Sequence, residues 1–284
     1  MSCETKKLDT VEVLSKDKIE ALIVPYLRER SRGSKVRVEL WQIVAVILYR
    51  LKTGCQWRML PLEMFFEGDK KLQWEGVYYH YREWVRDGSF KGVWIALLKS
   101  YPKLLDLSSM QLDGSHTLAK NGGEHIGYQG RKAGRTTNIL FLCENEGLPL
   151  SLATPQSGHH HDLHDIAERF EQLCTVLPEA AVSLEGVFLN ADSGFDAEVL
   201  RQACQEKQIE ANMAANPRNN KQMAYRYFDE QLDKRRFVIE RMNAWIDSFK
   251  ALLVRFETKT NTCMALHFLA FTVLLCRKIP IVKY

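Results

Sequence analysis

Apolar positions recur at three- and four-residue spacing in roughly the first hundred residues and at alternate positions in the stretches that follow. Residues 16–30 (KDKIEALIVPYLRER) predict a helix that Ser15 can cap, with Pro25 marking a kink or an end. After the basic spacer SRGSKVR comes a second helix, from about Glu39 to Lys52. Leu40, Ile43, Val44, Ile47, Leu48 and Leu51 give it one apolar face. TGCQWRMLP breaks it at Gly54 and Pro61. Trp74 to Arg86 (WEGVYYHYREWVR) predicts a third helix, ending at Asp87-Gly88, and Phe90 to Ser100 a further helical stretch. Helix, break, aromatic-rich basic helix is a helix-turn-helix-like order. Trp74, Tyr78 and Trp84 would serve equally well as core.

Strand patterning then takes over. In Gln111 to Lys120 (QLDGSHTLAK), alternation puts Asp113, Ser115 and Thr117 on one face and Leu112, Gly114 and His116 on the other. Gly114 leaves room beside the acid for another backbone or a ligand. The loop NGGEHIGYQGRKAGR lacks the phosphate-loop pattern GxxxxGK[ST] and reads as a flexible basic hairpin tip, carrying Arg131, Lys132 and Arg135. Thr137 to Cys143 and Pro149 to Thr154 are strands around an Asn145-Glu146-Gly147 turn, which makes three consecutive antiparallel strands. His159-His160-His161-Asp162 opens a helix to about Leu173 with Asp162 as N-cap. His160 and His164 stand one turn apart, but a third metal ligand is lacking, which favours a structural or substrate-facing role. Val187 to Asn190 is a strand ending at Ala191-Asp192. Asp196 caps a helix from Ala197 to Lys207, Ile209 to Ala215 is a strand, and Pro217 to Gln222 is a basic loop. One long helix closes the pattern, from about Arg235 to Phe256. Val238, Met242, Trp245, Phe249, Leu252, Leu253 and Phe256 form its seam, and Glu240 lies opposite with Arg236, Asn243 and Asp247.

Charge changes the picture. Lys and Arg outnumber Asp and Glu by 18 to 13 in residues 1–100, fall to 8 against 16 in 101–214, and recover to 13 against 6 in 215–284. Two basic flanks around an acidic middle suit a metal-dependent enzyme acting on a polyanion. The seven cysteines are odd in number, scattered and without a CxxC pair, which argues against a disulfide framework or zinc knuckle and fits a reducing cytosol. The first ten residues carry no apolar signal region. The apolar segment Cys263 to Cys276 is shorter than a membrane span, so a buried helix in a soluble cytoplasmic protein is expected.

Three strands, helix, strand ending in an acid, helix, strand, long helix is the order of a ribonuclease-H-like fold, a mixed sheet with helices on its faces. That order sets Asp113 beside Asp192 and brings Glu240 over from the helix. Three close carboxylates repel one another unless cations sit between them, and hard oxygen ligands suit Mg²⁺ or Mn²⁺, in a two-ion arrangement.

LDGSH at 112–116, LNADSGFD at 189–196 and KRRFVIERMNAWIDSFKALLVRFE at 234–257 resemble the three blocks of bacterial DDE transposases of the insertion-sequence-five family. VELWQIVAVILYRLKTGCQWRMLP and WEGVYYHYREWVRDG resemble that family's helical DNA-binding region, and GYQGRK and TTNILFL match too. The resemblance implies a helical DNA-binding domain at 1–104 and a ribonuclease-H-like catalytic domain at 105–284. It also implies Asp113, Asp192 and Glu240 as metal-binding triad, with nicking of double-stranded DNA at element ends and strand transfer by a homodimer or larger assembly. A nuclease of the same fold that does not join strands, or a DNA-binding regulator without catalysis, are the alternatives. Two positions depart from related elements: Asp233 stands where a Tyr is usual and Asp247 where a Lys or Arg is usual, while Arg236 is retained. On a continuous helix Arg236 could pair with Glu240. Lys250, about 80° around from Glu240 and roughly 15 Å along, would then replace the missing basic contact on DNA.

Overall fold

The computed structural model describes residues 12–28, 38–66, 71–216 and 227–280. The basic spacer at 31–37 and the basic loop at 217–222 lie outside them. Ser15 caps α1 (Lys16–Leu22), its Oγ accepting the Lys18 amide at 3.4 Å. The helix is shorter than its sequence suggests because the chain tightens into a 3-10 turn at Val24–Tyr26, where Pro25 has no amide to donate. A capping box between Glu39 and Gln42 opens α2 (Leu40–Thr53), and Gly54 closes it at φ +69°, a left-handed conformation that glycine adopts without a Cβ penalty. α3 (Trp74–Arg86) and α4 (Ser89–Ser100) follow, with Tyr81, Trp84 and Trp94 buried and Trp74 and Tyr78 packed half-buried against the core.

Among the described residues eight strands form one sheet: β1 (Ser109–Ala119), β2 (Gly127–Gln129), β3 (Gly134–Glu144), β4 (Pro149–Leu152), β5 (Gln156–Ser157), β6 (Phe188–Ala191), β7 (Glu210–Met213) and β8 (Val254–Arg255). The path is β2-β3-β1-β6-β7, with β4 and β5 added to β3 and β8 to β1. β1 and β3 are antiparallel, as are β3 and β4, whereas β6 and β7 run parallel to β1. This is the ribonuclease-H-like mixed sheet that the order of elements implies. β3 occupies one edge of β1 along most of its length. The other edge is shared: β6 pairs only at Ser109–Gln111 and β8 only at Leu118–Ala119. Between them no strand among the described residues pairs with that edge of β1, and that gap positions the site.

Between β5 and β6 lies α5 (Ile166–Glu179), between β6 and β7 lies α6 (Glu198–Glu206), and beyond β7 come α7 (Glu230–Asp233), α8 (Phe237–Asp247), α9 (Lys250–Leu253) and α10 (Thr260–Lys278). Three expectations fail here. Asp162 does not cap a helix: it sits in a turn, and α5 begins four residues later. Asp196 does not cap α6. Its buried carboxylate accepts from Arg201 Nε at 2.7 Å and the Asn216 amide at 2.9 Å instead. The long helix from 235 to 256 is interrupted at Phe249 (φ −88°, ψ 102°), whose ring is fully buried with Lys52 and Arg277 over it. The chain gives up helical bonds there and regains backbone bonds where Val254 and Arg255 join β1.

By length and composition α10 could cross a membrane, yet 72% of its apolar window is buried inside the protein. Phe271 packs edge-on against Trp94 and Phe141, tying α10 to α4 and to β3. Trp94 Nε1 donates to the Leu150 carbonyl at 2.9 Å and Tyr81 OH to the Thr262 carbonyl at 2.8 Å. The N-terminal helices and the sheet therefore share one core.

Candidate active site

Asp113 lies two residues past Gln111 on β1, and Asp192 two past Asn190 at the end of β6; Gln111 and Asn190 are the last positions at which those two strands pair with each other. In a parallel pair both acids then face the same way, on strands about 4.8 Å apart. They stand where β6 turns off and the edge of β1 opens. Asp192 Oδ1 accepts the Gly194 amide at 2.8 Å, which shapes the Ser193–Phe195 turn. Glu240 comes from the first turn of α8, where the helix dipole favours a carboxylate, and α8 packs on β1. Two arginines hold α8 in place against the β3–β4 turn. Arg235 Nε donates to Asn145 Oδ1 at 3.3 Å, and Arg241 donates to the Glu146 carbonyl at 2.6 Å.

Electrostatics tie the acids together. Burial, then the negative charges of Asp162, Glu240 and Asp192, push the Asp113 carboxyl up to about 7, and the Gly114 amide works against them. The charges that act on Asp113 most strongly are all of its own sign. Such a set of hard oxygen donors fits a divalent cation, which would relieve the repulsion. Among the described residues, no three His, Cys, Asp or Glu side chains converge closely enough to cage an ion as they stand. Asp113 is half-buried while Asp192 and Glu240 are exposed.

Residues 17–94 match the family described as "Putative transposase of IS4/5 family", and residues 108–276, more than half of the chain, match the DDE superfamily endonucleases. The chain belongs to the DDE superfamily of endonucleases. With a transposase match over the N-terminal helices and an endonuclease match over the sheet, it is a DDE transposase, an enzyme acting on DNA. No curated protein matches it. Among solved structures it is similar to the Mos1 transposase paired-end complex with left transposon end (12% identity, TM-score 0.29) and the Mos1 strand transfer complex (12%, 0.31). A third is the Mos1 mariner paired-end complex with Mn (15%, 0.28); each alignment covers 88% of this chain and 80% of the other. At those scores the likeness carries no weight beside the sheet order itself.

The basic residues of this DDE transposase fall into separate groups. Arg131 and Lys132 form an exposed 3-10 turn whose amides are held by Gln129 Oε1, and Arg135 is exposed on β3 opposite Tyr128. Arg236 does not pair with Glu240. Its Nε lies 3.4 Å from Asp233 Oδ1, within the 3-10 turn that precedes α8. Lys250 does not continue the Glu240 helix either; it opens α9 beyond the Phe249 break, so its expected offset from Glu240 does not hold. Partial burial raises the Asp247 carboxyl, and Lys132 and Lys250 act against that, so Asp247 shares its surroundings with two lysines of the DDE enzyme.

Sequence reasoning missed two residues. Asp162 lies against the backbone of Gly114, with its Oδ1 accepting from Asn138 Nδ2 at 2.7 Å. Arg169, buried on α5 with no hydrogen-bond partner for its guanidinium among the described residues, is pushed down to about 10 by burial, with Asp162 and Asp165 acting the other way. The side-chain gap at Gly114 signalled a close approach. Nothing in the spacing named Asp162 as the group that fills it.

Proposed function

We propose that the chain binds the ends of an insertion sequence and catalyses metal-dependent DNA cleavage and strand transfer in the cytoplasm. One observation carries this reading: Asp113 lies where β6 leaves the edge of β1, and the negative charges of Glu240 and Asp192 both reach it. In it the three carboxylates hold Mg²⁺ or Mn²⁺, two ions by the chemistry of the reaction. Bound there, the ions would activate a water or a 3′-hydroxyl and stabilise the leaving oxygen of an in-line displacement. Asp113 then serves as the shared ligand, since its strand is central and its carboxyl is the more buried.

Residues 1–104 would engage duplex DNA and residues 105–284 would cut it. Arg131, Lys132 and Arg135 extend from the hairpin beside β1, and Arg236 and Lys250 flank α8; each is placed in this reading as a phosphate contact. Joining two ends to a target needs both in one complex, so the working species is a homodimer or larger on DNA. The test is Asp113→Asn on supercoiled donor DNA carrying the element ends, with Mg²⁺. The reading requires loss of nicking and joining while end binding persists; nicking at the wild-type rate overturns it.

A further inference from the structure

A second concavity lies away from the carboxylates, between α3 and the segment that leads from β8 into α10. It encloses about 1040 Å³. Trp57, Tyr78, Tyr81 and Phe256 supply aromatic surface, and Arg50, Arg82, Arg86 and Lys259 supply positive charge. Two carboxylates also line it, Glu83 paired with Arg86 and Glu257 paired with Arg50 at 2.7 Å, which leaves the cleft net positive.

Arg50 decides what the cleft is for. It is only 6% exposed, and its guanidinium lies over the Trp57 ring at 4.6 Å. Nη2 is used by Glu257, whereas Nε and Nη1 have no partner among the described residues. Burying two guanidinium donors unsatisfied is costly unless an acceptor from elsewhere completes them. Arg50 lines the cleft, and an arginine fork with two unspent donors matches a phosphate. The rings beside it match bases: Trp57 and Tyr78 are half-buried and Phe256 is 45% exposed. A duplex hides its base faces and meets proteins with its phosphates and groove edges. Aromatic faces inside a concave basic cleft suit unpaired nucleotides.

We propose that this cleft binds unpaired nucleotides of a DNA strand, with phosphate on Arg50 and Lys259 and bases against Trp57, Tyr78 and Phe256. This rests on the assignment of the chain as an enzyme of DNA and is independent of the carboxylate chemistry. From Asp113 to Asn121, which lines the cleft, β1 and its extension run roughly 25 Å at about 3.3 Å per residue. The cleft would therefore hold DNA strand well away from the phosphate being cut.

The experiment is fluorescence anisotropy of a labelled oligothymidylate and of a labelled duplex, titrated with the full chain in EDTA. Phe256→Ala and Lys259→Gln change exposed side chains and leave the Arg50–Glu257 pair intact. Phe256→Ala should weaken oligothymidylate binding by about 5-fold or more and leave duplex binding unchanged. Lys259→Gln should lower the salt slope for the single strand by about 0.7. Absence of single-strand binding, or both variants binding it as the wild type does, overturns the proposal. So does an equal loss on duplex with Phe256→Ala. Binding in EDTA does not report on cleavage, so an Asp113→Asn enzyme that still nicks would sink the catalytic reading and leave this one standing.

Discussion

The carboxylate of Asp162 occupies the space that a side chain on Gly114 would need: a Cβ built there would overlap it. Gly114 neighbours Asp113, and Asp162 heads the charges that raise the Asp113 carboxyl. The glycine thus admits a fourth acid to the back of the strand that carries the first. Gly114→Ala should expel Asp162, break its bond from Asn138 and cost about 1–3 kcal/mol of stability. Cleavage should fall much further than the melting temperature implies. Thermal melts beside nicking assays check it, and wild-type activity in a folded variant would show that Asp162 has no bearing on the site.

Asp113 gives a pH-dependent prediction. Its folded carboxyl is raised to about 7, so the folded state holds a proton that the unfolded chain releases near 3.8. That contribution to stability is complete below about pH 3.8 and is lost as pH rises through 7, amounting to a few kcal/mol. Mg²⁺ should raise the melting temperature at pH 8 and do much less at pH 5. Asp113→Asn should stabilise the metal-free protein at pH 8 and abolish the Mg²⁺ response. An equal Mg²⁺ shift in wild type and variant would place the ion elsewhere.

Lys132 and Lys250 both act on Asp247 at the end of α8. If this corner holds a phosphate of the DNA end, Lys250→Ala should weaken binding to every sequence and lower the salt slope by about one. Asp247→Lys should raise end affinity, because it replaces a like charge facing phosphate with an opposite one. Salt titrations of both variants decide it. An unchanged slope, or weaker binding with Asp247→Lys, means that α8 meets DNA through another face.

His267 is buried on α10 with its Nδ1 2.9 Å from the Cys263 carbonyl, and burial pushes it down to about 4. The folded state thus favours the neutral ring. The resulting stability is full above about pH 6.5 and is lost as pH falls toward 4, worth about 3 kcal/mol. His267→Gln should flatten the fall in stability across that window. Chemical denaturation at pH 7, 5.5 and 4.5 measures it, and parallel curves for the two proteins would count against the assignment.

The sequence by itself determined the elements whose burial is local and periodic. The apolar faces of α2 and α3 and the alternation around Asp113 were legible because each residue there repeats the same environment one turn or two positions away. The order of those elements also implied the sheet, and with it the neighbouring positions of Asp113 and Asp192. Tertiary structure alone decided the rest, wherever two partners competed for one group. Arg236 could reach Glu240 by spacing but bonds Asp233, inside a 3-10 turn that helical periodicity does not reveal. The helix expected to reach Phe256 yields at Phe249, because Val254 and Arg255 gain backbone partners on β1 more than 130 positions earlier in the chain. Asp162 meets Gly114, and Arg50 meets Glu257 across 207 positions, through folding of the whole chain. Periodicity records how each side chain divides between core and water. It does not record which distant group a buried charge will face, since that is set by the long-range contacts that close the core.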